Sequence, residues 1–553
     1  MKDEIKKILE KITGKNNFLV EAPKEKTHGD YATNVALVLS KKAGKNPLEV
    51  ANEIVKKLSS GVLKKIGIEK VEVASPGFIN FYLKDEFFVE NLKEILKEKE
   101  NYGKNQNLKG KKIIIEHTQP NPFKAFHIGH LMNNTIGQSV ARIIKANGTT
   151  VKTATYHGDV GSHVAKAVWA LQKGIPMKDA YAYGHKGYEE NESSKQEILD
   201  INKKIYNKSD KQINAIFKKG RKESLVNFEK IYKKLDSKFD FHFYESQTGD
   251  IGKKLVLKNI GKIFEKGEGG AIIFKGENFE PKTHTRVFLN SEGLPTYEGK
   301  EVGLAKIKKS KFNYNISITV TANEQDAFFN VVEVSIGEVF NELKGKLKHL
   351  SHGLLKLPSG KMSSRTGNII SAESMIDRVK EKVLEKIKDR DFSELEKKEI
   401  TEKVAIGAIK YSILKQSIGS DIVYDLEKSV SFEGDSGPYL QYSYARAMSV
   451  LRKAKDEKIK PSLKKVPTEI SQLEKMMSHF GEAVEKAGKE YEPHFVALYL
   501  TELAREFNNY YDNNKIVDKN DEFSDYRVAL TEAFSIIMKN GLWLLGIETP
   551  EKM

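Results

Sequence analysis

The stretch "KKIIIEHTQPNPFKAFHIGHLMNNTIGQSVARIIKANG", from Lys111 to Gly148, contains a complete transition from strand to helix. Its first six residues form a short apolar run of the kind that builds a buried strand. After a proline-containing loop, apolar residues recur every four positions from Ile128 to Ile144, which predicts a helix that ends at the closing Asn-Gly pair. A second strand candidate follows at Thr150–Tyr156. This order makes a βαβ unit, so the sequence predicts a parallel sheet.

Two histidines mark the turn between this strand and this helix. His127 and His130 are three positions apart and share one face of the first helical turn, and Gly129 between them lets a ligand approach the backbone. A helix N-terminus beyond a parallel strand offers free N–H groups to an anion. Imidazoles placed there can stabilise phosphate oxygens while a phosphoanhydride is attacked. Surface histidines or metal ligands are the alternatives, but no neighbouring cluster completes a ligand set.

A second stretch, "LPSGKMSSRTGNII" (357–370), combines glycines, hydroxyls and cations. Such a loop can fold over a polyphosphate. Taken alone, it is also compatible with an ordinary basic loop. Its candidate phosphate-binding residues are Lys361, Met362, Ser363, Ser364 and Arg365.

Composition narrows the function classes. The 553 residues carry a formal net charge of +16 and contain no cysteine, which excludes disulfides and cysteine-ligated metal centres. The charge excess favours a polyanionic partner such as nucleic acid, although a lysine-rich solvated surface would give the same sum. We find no apolar run long enough to span a membrane and no signal-peptide pattern, so we expect a cytoplasmic protein without membrane association.

We expect an α/β fold with three consecutive parts. Residues 1–105 read as a small N-terminal α+β domain, residues 106–390 as a Rossmann-like parallel-sheet catalytic domain, and residues 391–553 as a C-terminal all-α helical domain. The stretch of about 175–290 looks like an insertion. Strand-like runs at "GAIIF", "TRVFL" and "YNISITVTA" predict that the parallel sheet resumes afterwards.

The combination of HIGH with a much later KMSS resembles the class I aminoacyl-tRNA synthetases. Further stretches resemble the arginyl enzymes in particular: "IEHTQPNPFKAFHIGH", "YHGDVGSHVAKAVW", "GLPTYEGKEVGLA", "FEGDSGPYLQYSYARAMSVLRKA" and "HGDYATNVALVLSKKAGKNP", in which His28 replaces a phenylalanine. The resemblance implies ATP-dependent attachment of L-arginine to tRNA(Arg) through arginyl-adenylate, with release of AMP and pyrophosphate. It also implies a monomer, with ATP as substrate, Mg²⁺ accompanying it and no metal bound by the protein itself.

The same resemblance assigns catalytic roles. His127, Gly129 and His130 would bind ATP together with the loop that begins at Lys361. In the family's KMSKS pattern a second lysine stands where this chain has Ser364, which removes a cation from the pyrophosphate clamp. Arginyl enzymes of this type carry a lysine ahead of HIGH, and Lys124 is placed to compensate. The predicted catalytic residues are His127, His130, Lys124 and Lys361.

A guanidinium group needs planar carboxylate partners because it has five donors and no acceptor. Glu116, Asp159 and Glu301 lie near predicted strand or sheet ends, but Glu116 could simply pair with a lysine and Asp159 could cap a helix. Two departures from the family appear here, glutamine for serine at 119 and glutamate for aspartate at 301. The resemblance implies that Glu116, Asn121, Tyr297 and Glu301 line the arginine pocket, although Tyr297 could instead be core. Gln119 and Asp159 are further candidates for arginine binding, and Gln325 is a candidate for arginine or ATP.

The C-terminal helices offer candidates for tRNA binding. Tyr439, Tyr442 and Arg446 could stack anticodon bases and hold phosphates, whereas the alternative for each aromatic residue is the core of a helix bundle. By resemblance, the N-terminal domain contacts the tRNA elbow.

Three other functions fit parts of the pattern. Another class I synthetase, such as the cysteinyl or glutaminyl type, shares the motifs, although cysteinyl enzymes usually hold zinc with cysteines. A small-molecule nucleotidyltransferase shares HxGH but usually lacks a helical C-terminal domain. A synthetase-like protein that binds tRNA without catalysis would have lost motif residues, and both histidines and Lys361 are present.

Overall fold

The computed structural model describes residues 1–23, 25–58, 60–356 and 371–553. These residues form two compact units, each assembled from separate parts of the chain. The first unit comprises Met1–Gly103, Arg446–Glu482 and Glu502–Asn540, and the second comprises Lys104–Ala445, Ala483–Thr501 and Gly541–Met553. The division into 1–105, 106–390 and 391–553 stays a prediction.

An antiparallel sheet in the order β1-β2-β4-β3 organises the N-terminal part of the first unit. The alternating stretch "KVEVASPGFINFYL" provides its two longest strands, which pair antiparallel. The elements of this part are α1 (Lys2–Thr13), β1 (Val20–Glu21), β2 (Tyr31–Thr33), α2 (Val35–Ala43), α3 (Pro47–Lys57), α4 (Ser60–Lys65), β3 (Ile68–Ala74), β4 (Phe78–Leu83) and α5 (Asp85–Glu98).

The remaining elements begin with the strand predicted from the isoleucine run. Up to the second motif they are β5 (Lys112–Glu116), α6 (Ile128–Ala146), β6 (Thr150–His157), α7 (Ser162–Gln172), α8 (Met177–Glu190), α9 (Glu192–Asn207), α10 (Lys211–Lys234), β7 (Phe241–Tyr244), α11 (Glu245–Lys258), β8 (Glu265–Lys266), β9 (Ile272–Phe274), β10 (Arg286–Leu289), α12 (Tyr297–Lys311), β11 (Ile316–Ala322), α13 (Asp326–Val339), β12 (Leu347–His352) and β13 (Leu355–Lys356).

After the second motif the chain is almost entirely helical, as its sequence pattern predicts. The elements are α14 (Ala372–Ile387), α15 (Glu394–Leu414), β14 (Ile422–Val423), α16 (Leu426–Ser429), α17 (Gly437–Asp456), α18 (Gln472–Met477), α19 (Phe480–Glu490), α20 (His494–Asn513) and α21 (Ser524–Leu544).

A five-stranded sheet in the order β12-β11-β5-β6-β7 forms the centre of the second unit, and all its pairings are parallel. The predicted βαβ unit is therefore confirmed as β5-α6-β6. The strand order reverses between β5 and β11, and open α/β sheets bind ligands at the carboxyl end of such a switch point. The loop after β5, which contains the histidine motif, starts at this position.

The prediction that the parallel sheet resumes after the insertion is confirmed by "YNISITVTA", which forms β11, but not by "GAIIF" and "TRVFL". These runs form β9 and β10, which pair antiparallel in a separate sheet with β8, and only β11 returns to the parallel sheet. A short apolar run indicates a strand but not the sheet that receives it. Conversely, β7 lies within the stretch interpreted as an insertion and pairs with β6 at the edge of the parallel sheet.

Side chains of helix α6 form hydrogen bonds with backbone carbonyls near the C-terminal end of α21. The hydroxyl of Ser139 donates to the carbonyl oxygen of Leu544 at 2.9 Å, and the guanidinium of Arg142 donates to that of Trp543 at 2.8 Å. Arg142 also forms an ion pair with Asp236 at 2.7 Å. These bonds satisfy buried polar groups and fix the helix that begins with the two histidines.

Helices α11 and α12 touch through bare backbone. A Cβ atom on Gly252 of α11 would overlap the carbonyl oxygen of Gly299, and one on Gly303 of α12 would overlap that of Thr248. Only glycine permits such an approach. The contact sets the distance between the start of α11 and the first turns of α12. Both of these segments carry buried charged side chains.

Among the residues that the structure describes, no helix is long and apolar enough to cross a membrane.

We predict that the second unit loses stability as the pH falls from about 6.5 to about 4. Burial lowers the pKa of His117 to about 3 and that of His157 to about 4, against about 6.5 in an unfolded chain. At pH values between the folded and the unfolded pKa, the unfolded chain binds more protons than the folded protein, so the free energy of unfolding decreases as the pH falls. The contribution of the two neutral histidines to stability is complete only above about pH 6.5. Urea unfolding at a series of pH values measures this decrease.

A His117→Gln variant provides the matched comparison, since it removes one buried titrating group. Its free energy of unfolding should depend less steeply on pH than that of the wild type, with a slope smaller by on the order of 1 kcal/mol per pH unit for the one proton removed. His28→Gln, at an exposed position, should retain the original pH dependence. Identical slopes for wild type and His117→Gln would contradict the prediction.

Candidate active site

The two histidines of the motif form a reciprocal cap at the start of α6. The backbone N–H of Gly129 donates to Nδ1 of His127 at 3.1 Å, and the backbone N–H of His127 donates to Nδ1 of His130 at 3.1 Å. The rings stack with their centroids 3.6 Å apart. Because each Nδ1 accepts a backbone proton, the neutral rings carry their own proton on Nε2. Each imidazole is thereby oriented as an Nε2–H donor.

Both imidazoles are held in the neutral form. Burial, followed by the charge of Lys124, lowers the pKa of His127 to about 4. Burial, followed by His127 and Lys124, places the pKa of His130 well below its ordinary value. At neutral pH the pair therefore offers two oriented hydrogen-bond donors without a full positive charge.

Lys124 lies in the loop between β5 and α6, close enough to His127 to influence its titration. Its Nζ lies 4.6 Å from the ring centroid of Tyr181, a cation–π geometry. Burial and then Lys166 lower the pKa of Lys124. The structure therefore places a partly buried cation beside the histidine pair.

The residues of the second motif, Lys361, Met362, Ser363, Ser364 and Arg365, lie outside the described residues. The chain that follows them reaches the histidines. Ser371 forms a backbone bridge with His127, and the N–H of Ala372 donates to the carbonyl oxygen of Phe126 at 2.9 Å. Ser371 is only ten positions after Lys361, a segment that spans at most about 35 Å when fully extended.

Glu116 ends β5 and is buried at 2% exposure. Its Oε2 lies 2.7 Å from Nζ of Lys308, and its Oε1 accepts from Nε2 of Gln119 at 3.0 Å. The amide oxygen of Gln119 in turn accepts from Asn133 at 3.3 Å. The structure thus brings Glu116 and Gln119 together and also shows the lysine partner that the alternative interpretation of Glu116 expected.

Asp159 is fully buried after β6 and already has three donors. It accepts from the backbone N–H of Ser246 at 2.9 Å, from the Ser246 hydroxyl at 2.7 Å and from Nε of Arg221 at 2.8 Å. The first of these bonds satisfies an N–H in the first turn of α11, as the helix-capping alternative expected. The neighbouring N–H of Gly158 donates to Oδ1 of Asn121 at 3.0 Å, which holds the Asn121 amide at the same sheet edge.

Tyr297 and Glu301 project from the first turns of α12. Tyr297 is 62% exposed, which excludes the core role considered above. Burial, followed by the charge of Glu116, raises the pKa of Glu301. Gln325 lies exposed between β11 and α13, at the carboxyl end of β11.

Sequence reasoning missed Glu245, a buried carboxylate at the boundary between β7 and α11. It forms an ion pair with Nζ of Lys300 at 2.5 Å. A Cβ atom on Gly158 would lie 3.1 Å from its Oε1 and 2.5 Å from Oδ1 of Asn121, so Glu245 and Asn121 border the same glycine. The available signal was an acid directly after a strand-like "FHFY", but it lay in a stretch interpreted as an insertion.

The candidate tRNA-binding residues all lie on α17, where the boundary between the two units falls just before Arg446. Tyr439 and Tyr442 are half-buried, and Tyr442 packs edge-on against Phe432 with ring centroids 6.3 Å apart. Arg446 donates to Oδ1 of Asn508 at 2.8 Å and lies over the ring of Tyr511. Each of the three therefore has contacts within its own unit, and their role in tRNA binding stays a prediction.

The described part of the chain contains no group of three or more histidine, aspartate or glutamate side chains that could hold a metal ion.

Three protein-family models match consecutive parts of the chain. The arginyl tRNA synthetase N terminal domain matches residues 1–83, the catalytic domain of class I tRNA synthetases (R) matches residues 91–426, and the DALR anticodon binding domain matches residues 440–553. Together with the parallel sheet, these matches confirm the predicted fold class.

Curated relatives agree over almost the whole length. An arginine–tRNA ligase of Clostridium acetobutylicum is 30% identical over 557 residues, which cover 97% of this chain and 96% of the relative. One of Borrelia hermsii is 31% identical over 522 residues, covering 90% and 89%.

Solved structures share the fold. The arginyl-tRNA synthetase of Thermus thermophilus superposes with a TM-score of 0.81 at 24% identity and covers 100% of this chain and 99% of its own. That of Plasmodium falciparum superposes with a TM-score of 0.78 at 20% identity over the same shares. From its sequence relatives and its matched domains, the chain belongs to the arginyl-tRNA synthetase family of class I aminoacyl-tRNA synthetases.

Proposed function

We propose that this protein attaches L-arginine to tRNA(Arg) at the expense of ATP. The arginine carboxylate attacks the α-phosphate of ATP, which forms arginyl-adenylate and releases pyrophosphate. A terminal ribose hydroxyl of the tRNA then attacks the adenylate carbonyl and AMP leaves. No protein nucleophile takes part, so the protein orients the reactants and stabilises developing charge.

The observation that carries the amino-acid specificity is a charge imbalance at the carboxyl edge of the parallel sheet. Four glutamates lie there, and three have a cation: Glu116 has Lys308, Glu245 has Lys300, and Glu298 has Arg286 at 3.1 Å. Glu301 interacts electrostatically with the other three glutamates, and within the described part of the chain it forms no ion pair. The cluster therefore lacks one positive charge.

A guanidinium group supplies that missing charge. Burial and the neighbouring glutamate raise the pKa of Glu301, because its ionised form is poorly compensated by nearby positive charge. Arginine would bring a permanent cation with donors in a plane, suited to Glu301. Tyr297, Asn121, Gln119 and Gln325 would contact the rest of the amino acid, with Glu245 and Asp159 bordering the site.

His127 and His130 would bind the phosphates of ATP during adenylate formation. Two neutral Nε2–H donors at a helix N-terminus stabilise negative charge as it moves between phosphate oxygens. A full positive charge would also stabilise bound ATP before the reaction, which would not accelerate adenylate formation. Magnesium accompanies ATP in this proposal as part of the substrate.

Lys124 and the Lys361 loop would hold the leaving pyrophosphate. Ser364 has no charge, so the partly buried cation of Lys124 takes the place of the family's second loop lysine. The return of the chain to His127 at Ser371 supports this arrangement, because it anchors the segment after the loop beside the histidines.

Tyr439, Tyr442 and Arg446 would contact the anticodon stem and loop. We further propose a monomer that acts in the cytoplasm. The strongest alternative is a family member that has kept the fold and the binding of tRNA but not catalysis.

The amino-acid specificity is tested by ATP–pyrophosphate exchange with each of the twenty amino acids, with and without tRNA. We expect exchange that depends on arginine, because arginine alone carries a planar permanent cation. Exchange with a different amino acid would overturn the specificity, and binding of tRNA without any exchange would favour the non-catalytic alternative.

We predict that His127→Asn lowers the activation rate by on the order of a hundredfold while the melting temperature stays nearly unchanged. Asparagine is a good N-cap and can still accept the Gly129 N–H, but it loses the donor at Nε2. Single-turnover adenylate formation and thermal melting measure the two effects. A parallel loss of melting temperature and rate would assign His127 a structural role instead.

We predict that Lys124→Ala also lowers the activation rate by on the order of a hundredfold, a typical loss for one charge contact in a transition state. Adding Ser364→Lys should then recover part of the rate, since it returns a cation to the loop. Lys173 forms a solvent-exposed ion pair with Glu197, so Lys173→Ala is a control that should leave the activation rate unchanged. An unchanged rate in Lys124→Ala would refute its compensating role.

A further inference from the structure

Lys308 is a buried cation for which the proposed function has given no reaction role. It lies in the last turn of α12 at 5% exposure, and its Nζ is 2.7 Å from Oε2 of Glu116. Glu301 lies two turns earlier on the same helix, so both side chains lie on one helical face. Both line a small cavity of about 20 Å³, room for about one water molecule.

Stability is a weak reason for this ion pair. Taking two charges out of water costs free energy that their attraction only partly returns, and apolar residues of similar volume often replace such pairs without loss. The pair instead changes the electrostatics of Glu301, its nearest uncompensated neighbour.

We propose that Lys308 is a positioning residue for the arginine substrate: by neutralising Glu116 it leaves Glu301 as the single net negative charge offered to the guanidinium group. This inference rests on the proposed binding of arginine at Glu301. Burial and Glu116 already raise the pKa of Glu301 in the wild-type protein, and Lys308 opposes that rise, so less proton release is needed when the guanidinium binds.

The titratable groups around Glu301 come from β5, β6, α11 and α12, and Tyr156 of β6 interacts electrostatically with it. Glu116 faces it from β5, Glu245 from the start of α11, and Glu298 and Lys308 from α12 itself. The shared cavity adds further groups: Tyr314, Glu333 of α13 and Lys348 of β12.

Without the charge of Lys308, two buried carboxylates would share the site. The repulsion from Glu116 would then raise the pKa of Glu301 further, so Glu301 would hold its proton to a higher pH than it does beside Lys308. A larger fraction of the protein would then have to release that proton when arginine binds. Raising the pH removes the proton, so the defect should shrink in alkaline buffer.

The test compares the KM for arginine of wild type, Lys308→Met and Lys308→Arg between pH 6.5 and pH 9 in aminoacylation, roughly the range in which this proton would titrate. We expect Lys308→Met to raise the KM for arginine about five- to tenfold at pH 7 and progressively less at higher pH. The KM for ATP should not change, and Lys308→Arg, which keeps the charge, should restore most of the affinity. Lys306→Met, at an exposed position of the same helix, is the matched control.

A double-mutant cycle with Glu116→Gln isolates the charge effect. In the Glu116→Gln background the second carboxylate is already neutral, so Lys308→Met should change the pH dependence of the KM for arginine much less than in wild type. A rise in the KM for arginine that is the same at every pH, and that is matched by the KM for ATP or by a lower melting temperature, would show a structural role and overturn the inference.

Glu301→Gln separates this inference from the proposed pocket. If it leaves the KM for arginine unchanged, Glu301 does not bind the guanidinium and the pocket itself is wrong. If it raises the KM for arginine while Lys308→Met does not, the pocket stands and only the role of Lys308 fails.

Discussion

Burial of glutamate carboxylates at the carboxyl edge of the parallel sheet is the constraint on which the site depends. An ionised carboxylate away from water must have a partner, and here helix α12 provides two of the partners, Lys300 for Glu245 and Lys308 for Glu116. The two ion pairs join α12 to the ends of β7 and β5. Glu301 on the same helix has no ion-pair partner among the described residues, and in the proposed function the guanidinium of arginine takes that position.

The phosphate side of the site follows a different principle. Among the described residues Lys124 is a partly buried cation there, and both histidines are neutral, with Nδ1 of each ring accepting a backbone N–H at the start of α6. The two imidazole rings are therefore oriented by backbone groups at the helix terminus and not by ion pairs. In the proposed function the lysines would hold the pyrophosphate, and the neutral imidazoles would add hydrogen bonds without a further charge that would retain the product.

Much of this was predictable from the residues. The isoleucine run of β5, the four-residue spacing in α6 and the motif between them specify a βαβ unit because local apolar pattern and cap chemistry agree. The sequence could not assign β9 and β10 to their own sheet, since pairing partners depend on distant contacts. It also could not show that Glu116 meets Lys308, or that Glu245 belongs to the site, because both relations arise only when distant segments reach one sheet edge.

The bare contact between α11 and α12 has a consequence for how substrate choice can change. Where two helices already touch backbone to backbone at Gly252 and Gly303, no exchange of side chains can bring them nearer, and any larger residue would force them apart. The distance between α11 and α12 is therefore fixed by the backbone contact. Under the proposed function, a variant that accepts a longer or shorter amino acid must therefore change the length of the side chains that project from these helices, such as Glu301.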